Sequence, residues 1–271
     1  MSKLSTRWII YAGLAAVVIL AYITSIQLDT RPSPQVQKAY NYFENLPEST
    51  IIMISFDHEA SSLPEIQPIT LAILRHAFRR NLRIIGLSLF AEGTAIGYRF
   101  MTRVAEEFGK EYGRDYVFLG FKPQHISAIL GMGESIIRVF PEDYLGYPAD
   151  SLPLMRQVYN YNEIEMVISI ADGDRGIQWI EYAGAGYNQS IMCGLTAAMV
   201  TSYDPYIASG QLYCTVGGLA GAAEYENLFG KKGAGNRGLL AQSMAHIYVI
   251  ILILIGNVVY FKSRRRRNSG P

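Results

Sequence analysis

The run Thr50–Phe56 reads TIIMISF, and its reading decides the fold. It is short, rich in β-branched residues and almost continuously apolar, the pattern of a strand buried on both faces. Similar runs follow: LRIIGLSLF at Leu82–Phe90, DYVFLGF at Asp115–Phe121, EMVISIA at Glu165–Ala171 and SIMCGLTAAMV at Ser190–Val200. Between them, apolar residues recur at helical spacing. Leu63–Asn81 carries Ile66, Ile69, Ile73, Ala77 and Phe78 as a stripe, with Arg75, Arg79 and Arg80 toward the end where a helix dipole favours cations. Glu92–Tyr112 carries Phe100, Val104 and Phe108, with Gly113 placed to end it. Further helices are expected at Asp174–Ala183 and, despite several glycines, at Pro205–Asn227. Strands alternating with helices predict an α/β fold: a Rossmann-like, doubly wound, mainly parallel sheet of about five strands over residues 50–228. Residues 28–49 precede it, with a lead-in helix at Ser33–Leu46.

The ends of the chain differ from this middle. The stretch WIIYAGLAAVVILAYITSI, Trp8–Ile26, has no charged residue, and its 19 residues span about 28 Å as a helix, close to one hydrocarbon core. It is long for a signal-peptide core and no A-x-A site follows, so residues 8–27 are read as an uncleaved anchor. A second apolar run, residues 239–261, ends abruptly in Lys262 and the four arginines Arg264–Arg267. A glycine-rich hinge, residues 229–238, leads into it. The tails, residues 1–7 and 262–271, hold the flanking basic residues, which predicts both ends in the cytoplasm and the middle outside. Charge agrees with that division. Two of the 24 basic residues precede the first run and five follow the second, while all 23 acids lie between, which leaves the middle at −6 and the whole chain at +1. An acidic outer domain excludes nucleic acid as the expected partner. The expected partners are the lipid bilayer and other membrane proteins or a second copy, with Asn257 a candidate for an interhelical hydrogen bond and His246 near the outer interface.

Doubly wound sheets bind ligands beyond the carboxyl ends of their strands. There the sequence offers Asp57, His58 and Glu59 after the first strand and Glu92 after the second. Lys122 and His125 follow the third strand, and Asp172 and Asp174, with Arg175, follow the fourth. These residues form the candidate ligand rim. The same residue types also serve as helix caps and turns; Asp172-Gly173-Asp174 reads as a turn with a cap, and Asp204-Pro205 as a cap with Pro at N1. No metal or cofactor is expected: no HExxH, no Cys/His cluster and no Walker motif occurs, and Gly131-Met-Gly133 and Gly184-Ala-Gly186 stand in the wrong context for a dinucleotide turn. GLSLF at Gly86–Phe90 is not a nucleophile elbow. Catalytic residues are not identifiable. Cys193 and Cys214 are expected as buried free thiols.

The connection 122–164 far exceeds the usual α/β loop and contains Tyr144, Tyr147, Tyr159 and Tyr161. It serves as a lid, a docking surface or a cover for the sheet, with a helix expected at His125–Phe140. Three functions fit the sequence. The first is a membrane-anchored binding or assembly subunit of a cell-envelope complex. The second is a tethered hydrolase or transferase using the rim carboxylates and a histidine. The third is a small-molecule sensor.

Overall fold

The computed structural model describes residues 3–24, 30–230 and 233–268. The chain divides into two compact units, Thr30–Gly235 and a second made of Met1–Asp29 with Asn236–Pro271.

The larger unit is α/β. In chain order it contains α2 (Pro34–Asn45), after α1 (Lys3–Ile23) of the other unit, then β1 (Ile51–Asp57), α3 (Leu63–Arg79), β2 (Arg83–Ser88), α4 (Ala91–Glu107) and β3 (Tyr116–Phe121). The long connection holds α5 (His125–Glu134), α6 (Ile136–Val139) and three 3₁₀ turns. Then come β4 (Met166–Ala171), α7 (Arg175–Gln178), a π-helical turn at Trp179–Gly184, α8 (Ala185–Tyr187), β5 (Ile191–Leu195), α9 (Val200–Ala208), β6 (Cys214–Gly217) and α10 (Gly218–Leu228). All six strands are parallel, in the order β3-β2-β1-β4-β5-β6.

Strand alternation sends side chains into two cores. Ile52, Ile54 and Phe56 of β1 pack under α2, α3, α4 and α10 with Phe43, Ile73, Phe100 and Tyr225. Met53 packs on the opposite face with Ile129, Tyr161, Trp179 and Tyr203. Each such side chain contributes roughly 1.5–3 kcal/mol on burial. Close approach at one helix requires glycine: a Cβ at Gly93 would collide with the Phe56 carbonyl, so α4 lies directly against β1.

The sequence reading needs several corrections. There are six strands rather than about five, because Cys214–Gly217 pairs with β5 where a helix was expected from Pro205. Gly210 at φ +78° ends α9, and four residues of strand are too few to print a periodicity. The strand expected over Ser190–Val200 stops at Leu195, and Pro205 lies inside α9 rather than at its start. The helix expected to reach Tyr112 ends at Glu107, where Gly109 at φ +62° turns the chain. The helix expected over His125–Phe140 breaks at Ser135, whose hydroxyl caps α6 by accepting from Arg138 N at 3.4 Å. Cys193 and Cys214 are free, and the register explains why: Met192, not Cys193, stands opposite Cys214, so the thiols project from opposite faces of the sheet.

The other unit holds α1 and α11 (Ala234–Asn268), both long and apolar enough to cross a membrane. Residues 234–238 of the expected hinge are helical; residues 25–27 of the first apolar run and 231–232 of the hinge lie outside the described residues. The two helices run antiparallel. Ala21 packs with Leu240 and Ala241, and the Tyr248 hydroxyl donates to the Ile10 carbonyl at 3.1 Å across a notch left by Gly13.

Both chain ends of the α/β unit attach to α10. Glu224 accepts from Ser33 N at 2.9 Å, and Asn227 donates to the Thr30 hydroxyl at 2.9 Å. Glu226 accepts from Gly233 N at 2.9 Å and Gly235 N at 3.0 Å.

Candidate functional site

The chain winds outward from β1 through β2 to β3, then returns and winds the other way from β4 to β6. The reversal between β1 and β4 leaves a crevice at the carboxyl ends of those strands. A cavity of about 440 Å³ occupies that place. Asp57 closes β1, with Glu59, Ser61 and Ser62 beyond it; Asp172, Gly173, Asp174 and Arg175 follow β4; Phe90 and Thr196 come from the ends of β2 and β5.

Asp57 forms the floor and is 1% exposed. Its Oδ1 accepts from Leu89 N at 2.8 Å, and its Oδ2 accepts from the Trp179 indole at 3.0 Å and the Ser169 hydroxyl at 3.1 Å. It thus joins β1 to β2, β4 and the π-helical turn. Burial pushes its carboxyl pKa up, against these hydrogen bonds, which favour the charged form.

Carboxylates of the rim also bind backbone amides. Asp172 accepts from Glu59 N at 2.7 Å, and Glu92 accepts from Ala60 N at 3.0 Å. Glu65 of α3 accepts from Ala197 N, beyond β5, at 2.8 Å. In dinucleotide-binding folds, open amides after the first strand receive a phosphate. Here the chain fills these amides with its own carboxylates, and the negative charge left at the rim opposes a phosphate. Phe90 stands at the N-cap of α4 and lines the cavity.

Arg175 is the cation of the cavity lining. Its Nη1 lies 2.9 Å from Gln178 Oε1, 3.2 Å from His125 Nε2 and 3.6 Å from Asp174 Oδ1. Partial burial, with the Arg175 charge, holds the His125 pKa below its usual value, so the imidazole is neutral at pH 7 and its Nε2 accepts from the guanidinium.

Of the eight rim residues, Asp57, Glu59, Asp172 and Asp174 line the cavity. His125 reaches it through Arg175, while Glu92 bonds Ala60 N outside the lining. His58 and Lys122 do not join it. His58 is fully buried with Nδ1 against the Glu59 carbonyl at 3.1 Å, and the Lys122 ammonium lies over the Phe140 ring. Sequence reasoning missed Ser61, Ser62, Phe90 and Thr196, although each lies just beyond a strand, and it missed Trp179 because nothing local marks an indole as partner to a residue 122 positions away. Among the described residues, no group of three or more His, Cys, Asp or Glu side chains is placed to hold a metal ion.

The strand order and cavity define the class: a Rossmann-type α/β unit with its pocket at the switch point, in a chain with two apolar terminal helices. No family model and no curated protein matches the chain. Among solved structures, the chain is similar to the C-terminal domain of a glycosyl transferase group 1 family protein (LpcC) from Francisella tularensis. The identity is 10% and the TM-score 0.29, over 74% of this chain and 95% of that one.

Proposed function

We propose that this chain is a membrane-anchored binding subunit of a cell-envelope assembly. Its α/β unit is held outside the cytoplasm and takes a small ligand in the β1/β4 crevice. The observation that carries this reading is the cavity at the single reversal of strand order, lined from four strand ends. Its volume lies within the range of small-molecule sites. Because the nearby amides are already filled and the lining is mainly carboxylate and hydroxyl, the fitting ligand is rich in hydrogen-bond donors, with hydroxyl or ammonium groups, rather than a nucleotide. The antiparallel packing of α1 and α11 and the basic tails support both termini lying in the cytoplasm.

Thermal melting of the full chain in mild detergent tests the binding reading. Polyols, amino sugars or polyamines raise the melting temperature, nucleotides do not, and Asp172→Asn removes the rise while keeping an acceptor for Glu59 N. A rise with nucleotides alone would overturn it. A ligand at 100 times its Kd adds about 2.7 kcal/mol. Protease treatment of sealed vesicles tests orientation, since digestion of the α/β unit from the cytoplasmic side contradicts it.

A second reading makes the same cavity that of a hydrolase or transferase. What favours it is the neutral His125 imidazole beside Arg175, together with the buried Asp57 carboxyl, whose pKa burial raises, in the cavity lining. Product formation from a ligand that raises the melting temperature separates it from binding alone.

A further inference from the structure

Within α11, His246, Ile250, Ile253, Asn257, Tyr260 and Arg264 follow one another at intervals of four, three, four, three and four residues. At 3.6 residues per turn these positions fall on one narrow stripe, the spacing of a helix–helix seam. The stripe points away from α1. Tyr248, whose hydroxyl meets α1, is two residues from His246 and lies across the helix from it. Ile250 and Ile253 are 55% and 56% exposed, and His246 and Asn257 are exposed as well.

We propose that two copies of this chain pair in the membrane along this stripe, with Asn257 of one meeting Asn257 of the other. The inference rests on reading α11 as a membrane span. Leu239–Phe261 contains no Asp, Glu, Lys or Arg, so in lipid its costly side chains are the polar ones, and His246 and Asn257 both stand on the outward face. An Asn side chain carries both donors and an acceptor, so two copies inserted in the same direction satisfy each other at the same depth. Open space beside Gly256 lets the backbones approach next to Asn257. A polar Asn between Ile253 and Tyr260 in the seam also fixes register, which favours a second copy over an unrelated helix. Arg264, beyond the apolar run, marks where the seam ends.

The test uses the full chain in its membrane with one cysteine added to α11. Cys193 and Cys214 are fully buried in the α/β unit and stay silent. Under mild oxidation Ile253→Cys gives a disulfide-linked dimer. Ile255→Cys, at 54% exposure on the opposite side of the helix, does not. Asn257→Leu weakens the dimer about tenfold in dilution with lipid. Equal crosslinking from both positions, linkage of Ile253→Cys to a different protein, or a dimer indifferent to Asn257→Leu would overturn the pairing. Alkaline carbonate extraction is the separate check on the span. Release of the chain refutes the span and with it the seam, whereas retention without an Ile253→Cys crosslink refutes the seam alone.

Discussion

The two edges of the sheet use charge in opposite ways. At the carboxyl edge, Glu59, Asp172 and Asp174 line the cavity, and Asp172, Glu92 and Glu65 close backbone amides. At the amino edge, arginines dominate: Arg79 and Arg80 meet Glu44, and Arg75 forms two hydrogen bonds of 2.8 Å with Glu107. In a parallel α/β unit the crossover helices begin at the carboxyl edge and end at the amino edge, so their dipoles favour this division. The contrast teaches that an acidic rim is not in itself a reactive rim. Its carboxylates do the work that a bound anion does elsewhere, and only the space between them is left for a ligand.

The most severe way to break the carboxyl edge is Asp57→Ala. It strands the Leu89 amide, the Trp179 indole and the Ser169 hydroxyl, and a loss of about 3–5 kcal/mol is expected in urea unfolding.

The amino edge is tested by acid. His76 is fully buried, with Nδ1 2.8 Å from the Tyr225 hydroxyl and Nε2 3.1 Å from Glu44. Burial pushes its pKa down to about 4; Arg79 and Arg80 push the same way, while Glu44 opposes them. The folded state therefore prefers the neutral ring. Stability from this group is fully present above pH 6.5 and is lost as pH falls from there toward 4, by about 3 kcal/mol. Asp57 acts in the opposite sense: its raised pKa makes acid favourable to the fold. Urea midpoints from pH 7.5 to 4.5 for the parent and His76→Gln separate the two edges, because the substitution flattens the slope if the amino edge controls it.

Gly93→Ala sharpens the comparison by moving α4 off β1 without touching a charge, at a cost of about 1–3 kcal/mol in thermal melting. The smallest effect is expected from Arg75→Met, about 0.5–1 kcal/mol, since both partners are partly exposed. A larger loss there would mean that the amino edge depends on its ion pairs more than on its packing.

The α/β class and a cavity at the carboxyl edge were legible because buried strands and the loops after them are local features. TIIMISF and EMVISIA each announce a strand, and Asp57 and Asp172 follow them directly. Strand β6 was not legible, because its four residues lie in a glycine-rich stretch and owe their conformation to pairing with β5. Nor was the division of rim residues between lining and support. Whether a carboxylate faces solvent or a backbone amide depends on contacts such as Asp172 to Glu59, 113 positions apart. His58 shows the same limit: between two cavity residues in sequence, it turns into the interior.

The attachment of both chain ends to α10 has an evolutionary consequence. Thr30 and Gly235 are held by neighbouring side chains of a single helix, so the α/β unit begins and ends at nearly one point. A unit with adjoining ends can be acquired whole, as an insertion into the connection between two helices, without remodelling its sheet. Its history can therefore differ from that of the helices that flank it, and exchanging residues 30–235 for another domain with adjoining ends is a graft that this architecture permits.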